Sequence, residues 1–304
     1  MKILVTGGAG FVGTNLIKRL LVDGHEVVSL DNYSTGTEEN HQEGCVYHSV
    51  DVRDAFDFDF FMKDPDVVYH LAALPRIQPS FDYPAITFEI NALGTMNILE
   101  WARTKNCKVV YAGSSSKHHN PSDSPYAMYK YLGEEVCKLY KQTFDVDVEI
   151  CRFYNVYGPN ELVDWKWAAV IGIWRKQIEE GKTITIISDG EQRRDFTYVE
   201  TVVDIAMTAM KEKVLTDGAM NLAYGNRIFL NDTIQILKRH FPDLQVNYTE
   251  NRLGDVKESQ NSPSLLKSLF PAITPKPFED ALSETVVWLK DFGQSVANGP
   301  KTVD

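Results

Sequence analysis

Cationic residues are in short supply. The 304-residue chain has 31 Lys and Arg against 42 Asp and Glu, a formal net charge of -11. Phosphate backbones are held by clustered Lys and Arg, so this balance argues against a nucleic-acid partner. A phosphorylated small molecule needs only one or two local cations and stays open. Cysteine is scarce too. Cys45, Cys107, Cys137 and Cys151 form no C-x-x-C pair and each sits in an apolar run. They read as reduced core residues of a cytoplasmic protein, neither a disulfide framework nor a metal site. No apolar run approaches the ~20 residues of a membrane span. The opening MKILVTGG carries one lysine and an apolar stretch too short for a secretory signal. A soluble, cytoplasmic protein with no membrane partner is expected. Repeats and low-complexity tracts are missing as well.

What is present is a core-forming composition, 43% hydrophobic, enough for one large domain or two closely joined ones. In the first half two periodicities alternate. Short β-branched or aromatic runs occur at residues 2–6, 26–30, 45–50, 66–72, 107–113 and 146–153. Amphipathic stretches of helical spacing lie between most of them, at Phe11–Val22, Ala85–Lys105 and Pro125–Phe144. This alternation predicts βαβ units and a doubly wound, mostly parallel α/β sheet with both faces covered. After Gly158 the pattern changes. Helices are expected over Trp165–Glu180, Tyr198–Lys213, Asn231–His240 and about 278–290, with strands at 183–187 and Ala219–Ala223. Five prolines, from Pro242 to Pro277, divide this part into short pieces, as in a smaller α/β lobe closing over the sheet edge. The tail NGPKTVD is expected to fray.

Residues 6–13 read TGGAGFVG. They follow the first strand, open the first amphipathic helix through Phe11 and Val12, and precede a second strand ending in Asp31. Gly7, Gly10 and Gly13 permit a tight turn and close backbone approach to a pyrophosphate, whose charge rests on the helix N-terminus. Asp31, 18 residues after Gly13, is placed to accept hydrogen bonds from adenosine ribose hydroxyls. It would repel a 2′-phosphate. A dinucleotide site is predicted, with NAD favoured over NADP.

A second constellation lies in AGSSSKHHNPSDSPYAMYK, residues 112–130. Ser124 suits an N-cap and Pro125 the first helical position. Tyr126 then falls in the first turn with Lys130 at i+4 on the same face. A lysine ammonium and the helix dipole would favour the phenolate and lower the Tyr126 pKa, fitting it to move a hydroxyl proton. The preceding strand ends just before Ser114, at the carboxyl edge where such sheets bind ligands.

Ten motifs occur in order, among them TGGAGFVG, DNYSTG, VDVRD, HLAA, NALGT, SPYAMYK, RFYNVYGP, GEQRRDFTYV and RLGDV, with the serines after VVYAG. Together they resemble the extended short-chain dehydrogenase/reductases, specifically the NAD-dependent nucleotide-sugar epimerase/dehydratase family, over nearly the whole chain. The resemblance implies a Rossmann NAD-binding domain of residues 1–158 and about 192–224. A nucleotide-sugar-binding lobe would comprise about 159–191 and 225–304. It further implies Asp51 and Val52 at the adenine, Asn32, Ser34, Thr35 and Gly36 on the adenosine side, and Leu71, Ala72 and Ala73 along the pyrophosphate and ribose. Phe153 would flank the nicotinamide. Tyr126 would be the general acid/base, Lys130 its ribose-binding partner and Ser114 the hydroxyl bonded to the sugar O4. Asn155, Arg194 and Arg252 would hold the substrate diphosphate, with Asp255 bonding a ribose or ordering Arg252. Two separated arginines suit a diphosphate's oxygens.

The reaction follows from what stands beside Ser114. The family's 4,6-dehydratases carry an acidic pair there and the decarboxylases usually a Glu nearby, whereas this chain has Ser115 and Ser116. Oxidation at C4, rotation of the 4-keto sugar and hydride return are favoured, making a nucleotide-sugar 4-epimerase the leading reading for a UDP-hexose or UDP-N-acetylhexosamine. Ser259 stands where small residues accompany N-acetylated sugars, or it is a plain loop serine. Only 12 residues separate Ser114 from Tyr126, a shortened substrate loop. His118 and His119 in that loop read as solvated residues and no metal is expected. Tyr129 reads as packing. The alternatives are another nucleotide-sugar enzyme of this fold (decarboxylase, dehydratase or 4-keto reductase) and a non-catalytic NAD-binding scaffold. The helices at 85–105 and 125–144 resemble the family's dimerising pair, so a homodimer is expected.

Overall fold

A computed structural model describes residues 1–54, 58–162, 166–211, 218–250 and 261–297, with side chains as far as 287. The chain enters its main sheet at once. β1 (Lys2–Thr6) leads through the glycine turn into α1 (Phe11–Val22), and β2 (Glu26–Asp31) and β3 (Cys45–Ser49) follow. β4 (Val67–His70) is succeeded by α2 (Ile77–Asp82), α3 (Pro84–Phe88) and α4 (Thr95–Arg103), then by β5 (Lys108–Ser114), α5 (Pro125–Phe144) and β6 (Val148–Phe153). Next come β7 (Asn155–Tyr157), α6 (Val170–Glu179), β8 (Ile184–Ile187), β9 (Arg193–Arg194), β10 (Phe196–Tyr198), α7 (Val199–Lys211) and β11 (Ala219–Leu222). The remainder is β12 (Ile228–Phe229), α8 (Leu230–His240), β13 (Val246–Thr249), α9 (Ser264–Leu269) and α10 (Phe278–Ala297).

The expected doubly wound sheet is present. Seven strands lie in the order β11-β6-β5-β4-β1-β2-β3, and every neighbouring pair is parallel. The chain winds outward from β1 in one direction and from β4 in the other. A crevice therefore opens beyond the carboxyl ends of β1 and β4, where such sheets take their ligands. Strand alternation loads both faces. Ile3 and Val5 pack with Leu16, Ile17 and Val202 of α1 and α7, while Leu4 packs with Ile98, Leu99 and Cys137 of α4 and α5. A third core, around Trp174, Ile184, Ile186, Phe196, Ile234 and Leu282, belongs to the elements after β6. Cys107, Cys137 and Cys151 are buried and Cys45 half-buried, all four as free thiols.

Three local departures from the sequence expectation matter. The stretch 85–105 is not one uninterrupted α-helix: a π-turn at Glu89–Gly94 divides α3 from α4. That turn presents buried Asn91, whose Oδ1 accepts the Leu74 N–H at 2.8 Å and whose Nδ2 donates to the Leu74 carbonyl at 3.0 Å. The loop after β4 is thereby clamped. α6 begins at Val170, later than expected, after the residues preceding it have turned through the 166–169 segment. The two-to-four-residue strands β7, β9, β10, β12 and β13 are too short to leave a periodicity in sequence. The C-terminal NGPKTVD lies outside the described residues.

Candidate active site

The crevice is a cleft of about 500 Å³ running from the glycine turn past β5 to α6. Its cofactor end is built by backbone. Gly7 has φ +74°, and a Cβ there would stand 2.7 Å from the Ala72 nitrogen. A Cβ on Gly13 would stand 2.2 Å from the Gly7 carbonyl oxygen. The turn thus needs glycine at both positions. α1 starts at Gly10 with no side-chain cap, leaving its first N–H groups to face an anion. Asp31 ends β2 with Oδ2 accepting the Ala9 N–H at 2.9 Å and Oδ1 the Tyr33 N–H at 2.8 Å. Burial raises its pKa, and those two amides oppose the rise. The spare lone pairs of this carboxylate and the bare helix start fit a dinucleotide's ribose and pyrophosphate.

Most of the expected cofactor residues line this cleft: Gly7, Gly10, Phe11, Val12, Gly13, Asp31, Asn32, Ser34, Thr35, Val52, Leu71, Ala72, Ala73 and Phe153. Gly36 and Asp51 are not among the lining residues. Gly36 packs so close to Ala9 that a Cβ would meet its carbonyl carbon and oxygen at 2.9 Å. Asp51 is held by Arg53 (2.8 Å) and by Asn32 Nδ2 (2.8 Å), and the Arg53 bonds bring its pKa down to about 2.

At the middle of the cleft Ser114, Tyr126 and Lys130 come together. Ser124 caps α5, its Oγ accepting the Ala127 N–H at 3.1 Å, and Pro125 occupies the first turn as expected. The Tyr126 hydroxyl donates to Ser114 Oγ at 3.3 Å. Ser116 also donates to Ser114 Oγ, through its hydroxyl at 2.9 Å and its N–H at 3.2 Å. Ser114 is left with its own O–H to give. Lys130 is buried, 2.6 Å from the Ala112 carbonyl and 4.7 Å from the Tyr111 ring centre. Burial lowers its pKa to about 8, against the pull of Glu134.

The expected depression of Tyr126 is corrected here. Its pKa is raised, chiefly by burial, and the groups pulling it back are the Ser114 hydroxyl and the Arg76 guanidinium. Lys130 reaches instead for the strand carbonyl, because α5 packs directly against β5.

Asn155 and Arg194 also line the cleft. Parallel pairing of β7 with β10, and of β9 with β12 antiparallel, brings these two residues, 39 positions apart, to one wall. Arg252, Asp255 and Ser259 lie outside the described residues. His118 bonds Asn221 Oδ1 through Nε2 at 3.0 Å, and His119 lines the cleft. Among the described residues no cluster of three His, Cys, Asp or Glu could hold a metal ion. Tyr129 packs edge-on against Phe88, centroids 5.3 Å apart.

Two cleft residues escaped the sequence reading. Arg76 caps the start of α2 at φ +86°, in the left-handed region a side chain rarely adopts, and its Nε donates to the Trp167 carbonyl at 3.1 Å. Glu161 follows β7 and is buried, its pKa raised by burial to about 7. Ser80 of α2 accepts the Tyr126 N–H at 3.0 Å, fixing α2 to the first turn of α5. An arginine three residues beyond HLAA, at a strand's carboxyl edge, was the available signal.

A parallel seven-stranded sheet with a glycine turn on β1 and a Ser-Tyr-Lys set over β5 defines a dinucleotide-dependent enzyme fold. Residues 3–223 match the model of the NAD dependent epimerase/dehydratase family, and the chain belongs to that family. NAD is its cofactor. It is 35% identical over 236 residues to the UDP-glucose 4-epimerase of Mycolicibacterium smegmatis, 69% of this chain and 73% of that one. The UDP-glucose 4-epimerase of Thermotoga maritima, solved with UDP-glucose, superposes with a TM-score of 0.88 at 27% identity, covering 96% of this chain and 99% of that one. The UDP-N-acetylglucosamine 4-epimerase of Methanobrevibacter ruminantium M1, solved with UDP-N-acetylmuramic acid, gives 0.87 at 30% identity, covering 96% and 98%. Among the described residues no helix is long and apolar enough to cross a membrane.

Proposed function

We propose that the chain is a 4-epimerase of UDP-sugars working through a transient 4-keto sugar. The observation that carries this is the Tyr126–Ser114 hydroxyl pair, 3.3 Å apart on the floor of the cleft beside Phe153. Bound NAD supplies reversible hydride acceptance. Tyr126 Oη, as the phenolate, would take the C4 hydroxyl proton on oxidation and, as the phenol, return it on reduction. The burial that raises its pKa is opposed by Arg76 and would be opposed further by the positive charge of oxidised NAD. Ser114 holds the sugar oxygen with the O–H it has left, and Lys130 fixes the cofactor ribose while adding positive charge beneath the cleft. Asn155 and Arg194 hold the diphosphate; Arg252, Asp255 and Ser259 are assigned to the substrate by resemblance alone. Gly36 and Asp51 act on the adenosine side by shaping its wall. Ser115 and Ser116 offer no carboxylic acid for an elimination.

The division into an NAD domain and a sugar-binding lobe is supported by the third core, which gathers Trp174, Ile184, Ile234 and Leu282 of the lobe. That core also takes in Tyr157, Phe196 and Tyr198 of the NAD domain, where the two join. We place the protein in the cytoplasm on its reduced cysteines, and read it as a homodimer. Ile86, Phe88, Met96, Leu139 and Phe144 are exposed on the outer sides of α3, α4 and α5, an apolar face suited to a second copy. A monomer by sedimentation at micromolar protein would remove the dimer. The function is tested by incubation with UDP-glucose, UDP-galactose, UDP-GlcNAc, UDP-GalNAc and UDP-glucuronate, with products read by NMR. C4 inversion in at least one is expected; none in any would reject the reading.

A further inference from the structure

Arg76 and Glu161 are charged, both line the cleft, and each feels the other's charge. Of the Arg76 donors only Nε has a partner among the described residues, the Trp167 carbonyl. Glu161 Oε1 accepts the Gly172 N–H at 3.3 Å, whereas its Oε2 is buried with no partner. A buried carboxylate oxygen without a donor is costly, and Arg76, half-buried at the cleft wall, keeps its guanidinium Nη groups free to donate among the described residues. Arg76 also sits at φ +86°, where a glycine would be relaxed. Its charge reaches Tyr126 as well as Glu161, and Ser80 joins its helix to the Tyr126 amide. The pair therefore flanks the reacting end of the cleft.

We propose that Arg76 and Glu161 form a donor–acceptor clamp for one sugar hydroxyl beside the reacting carbon, the 3-hydroxyl on the neighbouring carbon or the 6-hydroxyl one carbon further on, and so select sugars that keep it. This rests on the UDP-sugar reading above. A hydroxyl is the group that fits: it accepts from Arg76 and donates to Glu161 at once. With Glu161 ionised the two residues are electrically neutral together, so a carboxylate placed between them would leave a net charge at the cleft wall. Hydrogen bonds to charged partners are among the strong ones, and a site built around them penalises a ligand that lacks the group.

The test is calorimetric binding to the NAD-loaded full chain of UDP-glucose and its 3-deoxy and 6-deoxy analogues. Wild-type protein is expected to bind one of the two analogues about 10- to 100-fold more weakly than UDP-glucose. Glu161→Gln and Arg76→Gly should each bring that ratio to within about threefold of one, while UDP itself binds as before. Arg76→Gly relieves the positive φ and so keeps the fold testable. Equal binding of all three sugars by wild type would overturn the clamp. So would Arg76-dependent binding of UDP-glucuronate tighter than UDP-glucose, which would make the site a carboxylate anchor. Failure of UDP-glucose and UDP alike to bind would reject the UDP-sugar reading itself, and the clamp with it. Binding selectivity without any C4 inversion would leave the clamp standing and remove the epimerase.

Discussion

Arg152 grips both carboxylate oxygens of Glu134, with Nε at 3.0 and 3.1 Å and Nη2 at 2.8 Å, and Glu134 is wholly buried. Glu134 stands one helical turn beyond Lys130 on α5 and raises its pKa against the burial that lowers it. Arg152 extends the chain of contacts to Asn221 Oδ1 at 3.4 Å, and the same oxygen accepts from His118 Nε2 in the loop before α5 at 3.0 Å. One buried ion pair thus ties the lysine, the end of β6 and the short loop together.

Breaking that pair from one side should be severe. Glu134→Gln leaves the Arg152 guanidinium without its counter-charge and is expected to destabilise the fold by about 3 kcal/mol in urea denaturation. Glu134→Gln combined with Arg152→Met should cost less than the single change, since no charge is then stranded. Additive losses in the double variant would refute the coupling.

Removing the Tyr126 hydroxyl should separate chemistry from binding. Tyr126→Phe keeps the ring and the Ser124 cap, so NADH affinity by fluorescence titration should not change. Turnover should fall by roughly 10²–10⁴-fold, the usual worth of a positioned acid/base. A variant retaining a tenth of wild-type kcat would show that another group moves the proton.

Gly13→Ala tests the turn. Its Cβ would meet the Gly7 carbonyl oxygen at 2.2 Å and the Gly8 Cα at 2.7 Å, both backbone atoms. The turn has to open, and NAD affinity is expected to drop by at least about tenfold, or 1.4 kcal/mol. Gly218→Ala, where a Cβ meets nothing within 4 Å and the backbone is not at positive φ, is the control with little effect on the cofactor. Equal NAD titrations for wild type and Gly13→Ala would refute the assignment.

The parts legible in sequence are those carried by local pattern. TGGAGFVG, SPYAMYK and the apolar strand runs each announce an element within a few residues. Ser114 and Tyr126 meet as expected because one strand and the following helix bring them together. Arg76 and Glu161 were missed because 85 positions separate them and neither sits in a periodic segment. That both line one cleft depends on how the loop after β4 folds against the one after β7. The direction of the Tyr126 shift failed for a related reason. Spacing put Lys130 on the right helix face, but tertiary packing sent its ammonium to Ala112 and brought Arg76 in.

Glu161 should make the protein less stable as pH rises. The groups acting on it are the Arg76 and Arg175 guanidinia and the N–H groups of Gly172 and Gly158, all of which favour the anion, with Tyr157 alongside. Burial outweighs them and lifts its pKa to about 7. Between the ordinary glutamate value and about 7 the folded chain binds more protons than the unfolded one. Stability is therefore lost as pH rises through that window and stays lower above it. Glu161→Gln mimics the protonated carboxyl at every pH. It is expected to be more stable than wild type at pH 8, by about 1–3 kcal/mol, with the gain shrinking towards pH 5. Urea midpoints at the two pH values measure this. A Gln variant no more stable than wild type at pH 8 would mean that the cleft solvates this carboxylate well.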